Sequence, residues 1–161
     1  MLILGIDPGL QGALAWMDAG GTVLQLEDIP VLSEGKGKKA IDALGITAML
    51  TARRPTHAVI EAVHARPTDS KTGAFTFGRN TGALEALVMG AGIPLQRVAP
   101  VTWRRCAGLA PGADKLASLA AAMRLHPSCR PMLEGKQARH DRAEAVLIAG
   151  WYAVNYGREA A

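Results

Sequence analysis

The feature that most constrains the fold is a short apolar run that stops abruptly. Residues 2–6 read LILGI, and Asp7, Pro8 and Gly9 follow directly. An apolar run of this length predicts a buried strand, and the Asp-Pro-Gly sequence predicts a turn at its end. The chain is therefore expected to fold around a sheet in which one strand delivers a carboxylate to the rim.

The rest of the chain shows strand patterns first and then alternating helix and strand patterns. Further strands are predicted at 12–17, 22–27, 57–61 and 93–98, with a turn at 18–21 and an edge position for the strand that contains Pro94. Five helices are predicted. The spacing of Ile41, Leu44 and Ala48 predicts the first, and a short helix around Trp103 has Thr102 as its cap. The others cover 83–91, 116–123 and 138–155. Residues 33–39 are predicted to form a mobile exposed loop, and residues 62–76 a second loop. This order predicts an α/β fold with a mixed sheet of about five strands flanked by helices.

Length and composition exclude several classes of protein. The 161 residues are 49% hydrophobic and 20% charged, which predicts one globular domain over 1–161. The longest uncharged apolar stretch, 145–154, is about half the length of a membrane-spanning helix, and the N-terminus lacks the basic segment of a signal peptide. Cys106 and Cys129 have no zinc-binding spacing. Two free thiols and a cytoplasmic location are expected.

The charge is distributed unevenly. The net charge is +4, yet residues 1–30 contain no Lys or Arg, and all 18 basic residues follow them. A basic remainder beside an acidic segment predicts a surface for a polyanion next to a region that must stay negative.

Four carboxylates stand at the ends of predicted elements. Asp7 and Glu61 close strands, whereas Asp141 and Glu144 lie three residues apart on one face of the last helix. Asp7 has an alternative role as a turn residue, and Asp141 with Glu144 resembles a helix-capping pair. Glu61 has no comparable explanation, because Glu is not a favoured turn residue. Carboxylates brought together would repel one another unless cations neutralised them, and Mg²⁺ prefers such ligands.

These acids favour nuclease chemistry over nucleotide binding. Two Mg²⁺ ions roughly 4 Å apart can activate a water and stabilise the leaving oxygen of a phosphodiester. The basic residues would then hold a nucleic-acid backbone. A phosphate-binding GxxxxGK[ST] loop is absent, because Leu32 and Lys39 stand where Gly and Ser or Thr are required, and no GxGxxG occurs. No nucleotide cofactor is expected.

At these residues the chain resembles the RuvC-type Holliday junction resolvases. The resemblance is carried by Gly5-Ile-Asp7-Pro-Gly9, by Ile60-Glu61 and by Asp141-x-x-Glu144-Ala145, in that order, and spans residues 2–153. It implies a ribonuclease-H-like fold, in which three antiparallel strands precede alternating helices and strands. It also implies a homodimer that cleaves four-way DNA junctions with two Mg²⁺ ions, for which Mn²⁺ substitutes.

The resemblance implies roles for particular residues. Asp7 and Glu61 match the family's first two metal-binding acids, and Asp141 and Glu144 match its C-terminal pair, with Glu144 in place of the usual Asp. His140 stands where some members use a histidine. Lys115 matches a basic residue near the scissile phosphate, although it also fits an ordinary solvated lysine.

Other residues are candidates for contacts with DNA or with a second subunit. Phe75-x-Phe77-Gly-x-Asn80 resembles the family segment with an aromatic wedge and the dimer helix, although both phenylalanines would equally fit a core. The apolar face of 83–91 is the candidate dimer interface, with an internal core helix as the alternative. Candidate phosphate contacts, each equally explained as surface charge, are Arg66, Lys71, Arg79, Arg104 and Arg105.

Three other interpretations share parts of this pattern. Sugar kinases and actin-like ATPases have a similar strand–DxG–hairpin opening, but they bind nucleotide between two such domains. A second alternative is a ribonuclease-H-like protein that acts on other branched or single-stranded nucleic acid. A third is a module that binds junctions without cutting them. An acid at all four expected positions favours an active nuclease.

Overall fold

A computed structural model of the chain describes residues 1–65, 67–134 and 140–157. The strands are β1 (Leu2–Asp7), β2 (Ala13–Asp18), β3 (Val23–Asp28), β4 (Val31–Gly35), β5 (Lys38–Ile41), β6 (His57–Glu61) and β7 (Leu95–Val98). The helices are α1 (Ala43–Arg53), α2 (Lys71–Gly90), α3 (Pro100–Cys106), α4 (Lys115–Leu125), α5 (Arg130–Leu133) and α6 (His140–Tyr156), with a 3₁₀ turn at Pro127–Cys129. None of the described helices combines the length and the hydropathy needed to cross a bilayer.

The main sheet has five strands in the order β3-β2-β1-β6-β7. β1, β2 and β3 are antiparallel neighbours, whereas β6 runs parallel to β1 and β7 runs parallel to β6. The predicted mixed sheet is confirmed, and so is the edge position of the strand after Pro94. β1 lies at the centre, which explains why its sequence is an unbroken apolar run.

Strand alternation divides the core between the two faces of the sheet and fixes the direction of two acids. Ile3 and Val59 belong to the core that packs against α6, whereas Leu4 belongs to the core beneath α1 and α2. Side chains at every second position of a strand share a face. Asp7 and Glu61 are in phase with Ile3 and Val59, so both acids point towards the face that α6 covers.

Helix α6 lies directly on β1, and a glycine makes this close approach possible. A Cβ added to Gly5 would collide with the carbonyl oxygen of Ala145 and would lie 2.7 Å from the Cβ of Ala149. The C-terminal half of the helix reaches the start of β6, where the rings of Tyr152 and His57 are 5.6 Å apart. The first turn of α6 therefore lies at the other end, where β1 and β6 finish.

Residues 33–39 form most of a β hairpin, so the loop prediction is wrong. β4 and β5 pair antiparallel across a tip at which Gly35, Lys36 and Gly37 all have positive φ, of 82°, 47° and 74°. Flanking glycines adopt this conformation without steric cost, and the Gly and Lys content concealed a tight turn. The hairpin is tied to α2 because Asn80 Oδ1 accepts from the Ile41 N–H at 3.4 Å.

Helix α2 begins earlier than the sequence predicted. Ser70 caps it by accepting a hydrogen bond from the Gly73 N–H at 3.0 Å, and the helix runs from Lys71 to Gly90. Phe75 and Phe77 are therefore helical residues, and the loop prediction for 62–76 is wrong beyond Ser70. The cap was hidden because glycine and threonine in the first turns have low helix propensity.

Two details of the other helices also differ from expectation. In α1 the buried residues are Ile46 and Leu50, whereas Leu44 is 83% exposed. Leu44 lies in the first turn of the helix, and the spacing of apolar residues therefore predicted the wrong face of α1 as the packed one. Helix α3 starts after Ala99 with Pro100 in its first turn, so Thr102 is not its cap.

Substituting Gly5 with Ala is expected to destabilise the fold, because the new methyl group would push α6 away from β1. Overpacking of this kind costs about 1–3 kcal/mol in the free energy of unfolding. Chemical denaturation would measure the loss. Gly82→Ala is the control, because a Cβ at this exposed position of α2 meets nothing within 4 Å. A Gly5→Ala protein as stable as the control would contradict this packing.

Candidate active site

The predicted acids meet around Asp7, which is only 8% exposed. Burial raises the pKa of Asp7 well above its ordinary value, and the nearby charges of Glu144, Glu61 and Asp141 raise it further, in that order, while Lys115 opposes them. The fold therefore brings together four carboxylates that come from β1, β6 and α6. Each of these three neighbours contributes a negative charge that disfavours the ionised form of Asp7.

Two adjoining clefts give access to these acids. Asp7, Asp141 and Glu144 line a cleft of about 650 Å³. Glu61 lines a neighbouring cleft of about 480 Å³. Phe77, in the second turn of α2, lines both clefts. The first turns of α2 therefore form a common wall opposite the carboxylates.

Lys115 lies at the edge of the larger cleft, in the first turn of α4. Asp114 caps this helix by accepting from the Ala117 N–H at 2.8 Å. The ammonium of Lys115 is 4.0 Å from Asp141 Oδ1, and its side chain is 69% exposed. His140 Nδ1 lies 3.1 Å from the carbonyl oxygen of Lys115, where the ring N–H donates. These two contacts connect the start of α4 to the start of α6, and His140 supplies one of them.

Two of the four acids accept hydrogen bonds that the sequence did not indicate. Trp103 Nε1 donates to Glu61 Oε1 at 2.9 Å. Ser118 Oγ donates to Glu144 Oε1 at 3.1 Å, and Arg104 Nη1 donates to the same oxygen at 3.2 Å. These partners lie 26 to 42 residues from the acids in sequence. No local pattern identifies contacts over such separations.

The donor set is chemically suited to a divalent cation. Four carboxylates supply the hard oxygen ligands that Mg²⁺ and Mn²⁺ prefer. Burial and the charges of the three neighbouring acids raise the pKa of Asp7, and a bound cation would offset both effects. Within the described ranges, however, no three His, Cys, Asp or Glu side chains are already grouped closely enough to hold an ion. The acids surround Asp7 without forming a preassembled ligand cluster.

The two phenylalanines occupy different environments on α2. Phe75 is 71% exposed, whereas Phe77 is half-buried against the clefts. An exposed aromatic ring one turn from the clefts is available to an outside ligand. The exposure of Phe75 is compatible with a wedge role for one of the two phenylalanines, which stays a prediction.

The candidate phosphate contacts also differ in their surroundings. Lys71 and Arg105 are exposed, and Arg79 forms an ion pair with Glu34 at 3.0 Å. Arg104 is engaged with Glu144 inside the site. Arg66 lies outside the described residues. Contact with a nucleic acid stays a prediction for each of these side chains.

The apolar face of residues 83–91 is used within the chain itself. Leu84 and Val88 are buried, at 0% and 1% exposure, in the core beneath the sheet. The prediction that this face forms a dimer interface is therefore wrong, because its largest side chains are already covered. An amphipathic helix on a sheet has the same sequence pattern as one at an interface.

The strand order and the flanking helices are those of a ribonuclease-H-like fold. Two solved structures share it. "T. thermophilus RuvC in complex with Holliday junction substrate" has a TM-score of 0.68 at 18% identity, with 98% of each chain covered. "Thermus thermophilus RuvC structure" has a TM-score of 0.59 at 19% identity, with 96% of each chain covered. The resemblance expected from the sequence is confirmed at the level of fold.

The sequence itself matches no protein-family model and no curated protein. At identities of 18% and 19%, the structural likeness establishes the fold and leaves the activity to be argued from the site.

Asp7→Asn is expected to stabilise the metal-free protein, because it removes a buried charge that three neighbouring carboxylates repel. A gain on the order of 1 kcal/mol in the free energy of unfolding is expected at pH 8 in EDTA. Denaturant titration would measure it. Asp114→Asn is the matched control, because asparagine also caps a helix well and Asp114 lies at an exposed helix start.

The gain should depend on pH. A carboxyl whose pKa is higher in the folded than in the unfolded state stabilises the fold at low pH, and this contribution is lost as pH rises through the folded-state pKa. The difference between Asp7→Asn and the unmodified chain should therefore grow from pH 4 to pH 8. A difference that is constant over this range would show that burial and the neighbouring charges do not raise the pKa of Asp7.

Proposed function

We propose that the chain is a divalent-metal-dependent endonuclease that resolves four-way DNA junctions. The observation that carries the proposal is the buried Asp7 carboxylate, which has Glu61, Asp141 and Glu144 around it at one edge of the sheet. The fold is shared with a RuvC structure described in complex with a Holliday junction substrate. Clustered carboxylates on this fold have a clear use in phosphodiester hydrolysis.

The metal would be two Mg²⁺ ions, for which Mn²⁺ can substitute. Its ligands would be the carboxylates of Asp7, Glu61, Asp141 and Glu144. When bound, such ions supply an activated water and neutralise the leaving oxygen of a phosphodiester. Carboxylates grouped in this way repel one another, and bound cations would offset that repulsion. Hydrolysis in this manner would leave 5′-phosphate and 3′-hydroxyl ends.

Lys115 would stabilise the negative charge that develops on the phosphoryl group. Its ammonium is exposed at the edge of the cleft that Asp7 lines, so a backbone phosphate can reach it. A fixed cation at such a position lowers the energy of a charged transition state. His140 would act through its contact with the Lys115 backbone, which holds the start of α4 against the start of α6.

Binding of the junction would depend on cations and an exposed aromatic ring outside the acid cluster. Lys71 and Arg105 are exposed and would contact backbone phosphates, which position a nucleic acid without reading its sequence. Phe75 would stack on an unpaired base at the branch point. Cutting of two opposed strands requires two sites related by a two-fold axis, so a homodimer belongs to this proposal.

A junction-binding protein without cleavage activity is the second candidate. It is favoured by the absence of a preassembled three-ligand cluster in the described part of the chain. Glu144, one of the four acids, is also already paired with Arg104. Both candidates predict binding to branched DNA, and they differ in whether a divalent cation produces a cut.

A synthetic four-way junction with labelled strands separates these candidates. With Mg²⁺ or Mn²⁺ the full chain is expected to nick the junction, and to leave linear duplex, single strands and RNA–DNA hybrid largely intact. Binding without cutting at any metal concentration would support the second candidate. Equal cutting of all substrates would refute junction selectivity and favour a ribonuclease-H-like nuclease with another substrate.

Asp7→Asn is expected to abolish cleavage and to preserve junction binding. The carboxylate is nearly buried, whereas phosphate contacts come from exposed basic side chains. Electrophoretic mobility shift in EDTA would measure binding, and denaturing gels with Mg²⁺ would measure cleavage. Asp114→Asn should retain both properties, and cleavage by Asp7→Asn at the original rate would remove Asp7 from the metal site.

Phe75→Ala is expected to weaken junction binding, because stacking of one base on an aromatic ring contributes about 1–3 kcal/mol. That range corresponds to a loss of about fivefold or more in affinity. Leu44→Ala is the control, because it removes another highly exposed apolar side chain, from α1. Equal affinities for the junction in the two variants would contradict a stacking role for Phe75.

A further inference from the structure

We propose that Trp103, Arg104 and Ser118 are positioning residues that orient Glu61 and Glu144 for a divalent cation. The inference rests on the proposed function, since it assigns a purpose to contacts around the same acids. None of the three would touch the reacting phosphate, and each acts through a carboxylate.

Trp103 fixes one oxygen of Glu61. The indole is 0% exposed and packs in the core between the sheet and α6. Its N–H donates to Glu61 Oε1 at 2.9 Å. A fully buried ring of this size cannot rotate without repacking its neighbours, so the direction of the donor is set by the core. The orientation of the Glu61 carboxylate is thereby linked to the packing of the protein interior.

Two donors fix one oxygen of Glu144. Ser118 Oγ and Arg104 Nη1 both donate to Oε1, at 3.1 and 3.2 Å. Ser118 is fully buried, so its hydroxyl is held by the surrounding core. No hydrogen bond from the described residues reaches Oε2, and Glu144 lines the larger cleft. The carboxylate is therefore held through one oxygen, in a residue that lines the cleft.

Arg104 is itself held in place by two further contacts. Its Nη2 donates to the carbonyl oxygen of Ala113 at 2.7 Å, and its guanidinium carbon lies 5.3 Å from the centre of the Trp103 ring. The guanidinium therefore contacts both Glu144 and the indole that donates to Glu61. Trp103 and Arg104, which are consecutive in α3, thus donate hydrogen bonds to two acids that belong to different elements.

These contacts offset a disadvantage of Glu at position 144. Glutamate has one more rotatable bond than aspartate, so an unsupported carboxylate there would lose more side-chain freedom on binding a cation. Hydrogen bonds from Ser118 and Arg104 restrict that freedom before the cation arrives. Loss of an outer contact of this kind typically weakens metal binding by about 10–100-fold.

The test measures Mn²⁺ affinity by isothermal titration calorimetry on the full chain, without DNA. Trp103→Phe keeps an aromatic ring and removes the N–H, and Ser118→Ala removes one hydroxyl. Each should weaken Mn²⁺ binding by about tenfold or more. Trp16→Phe is the matched control for the first, because Trp16 is equally buried and donates to Glu27 Oε2 at 3.0 Å. Ser128→Ala is the control for the second, since Ser128 hydrogen-bonds the Val23 N–H at a distant turn.

Arg104→Lys distinguishes positioning from contact with DNA. Lysine keeps the charge and can still bind a phosphate, but it lacks the planar fork that joins Glu144 to Ala113. A positioning role predicts weaker Mn²⁺ binding with unchanged junction affinity in EDTA. Arg124→Lys, which likewise removes a guanidinium contact to a carbonyl oxygen, that of Ala107 at 3.2 Å, should change neither measurement. Unchanged Mn²⁺ affinity in Arg104→Lys would overturn the positioning role of Arg104.

The outcomes separate this inference from the proposed function. If the unmodified chain binds no Mn²⁺, both are overturned. If it binds Mn²⁺ and cuts junctions while Trp103→Phe and Ser118→Ala bind as tightly as it does, only the positioning role is overturned. Thermal unfolding identifies variants that have lost their fold. If Trp103→Phe is among them, the nearly isosteric Ser118→Ala and the charge-preserving Arg104→Lys still decide the result.

Discussion

The repulsion between one buried carboxylate and three neighbouring ones is the constraint on which the site depends. Asp7 is held at the end of the central strand, where burial and the charges of Glu144, Glu61 and Asp141 all disfavour its ionised form. A fold tolerates such a cost when the surrounding packing leaves the side chain no alternative position. Here the packing of α6 against β1 at Gly5 has this effect, because it brings the helix that carries two of the acids directly over the strand that carries Asp7.

The groups that offset this charge are arranged around the acids rather than among them. Lys115 approaches Asp141 from the exposed side, and Arg104 approaches Glu144 from α3. Trp103 contributes a neutral donor to Glu61. Each partner satisfies part of one carboxylate, and Asp7 still has a raised pKa. These partners therefore leave Asp7 in a buried position where its ionised form is disfavoured.

The sequence identified the parts of the site that depend on local patterns. Asp7 and Glu61 end short apolar strands, and neighbouring parallel strands bring such ends together. Asp141 and Glu144 follow from helical spacing. Trp103 and Ser118 could not be assigned, because a tryptophan or a serine in a helix carries no mark of a carboxylate many residues away. The hairpin at β4 and β5 was missed for a different reason: Gly and Lys are common in loops, and the left-handed turn around Lys36 is visible only in backbone angles.

The alternation of side chains along β1 and β6 limits how the lengths of these strands can change. Insertion of a single residue between Ile3 and Asp7 would turn the carboxylate to the face that α1 and α2 cover, away from Glu144. Deletion of one residue would do the same. Changes in chain length are therefore expected only where elements end in solvent, as at the exposed tip of the β4–β5 hairpin. Along the strands that reach the site, the sequence can vary by substitution, whereas the number of residues cannot.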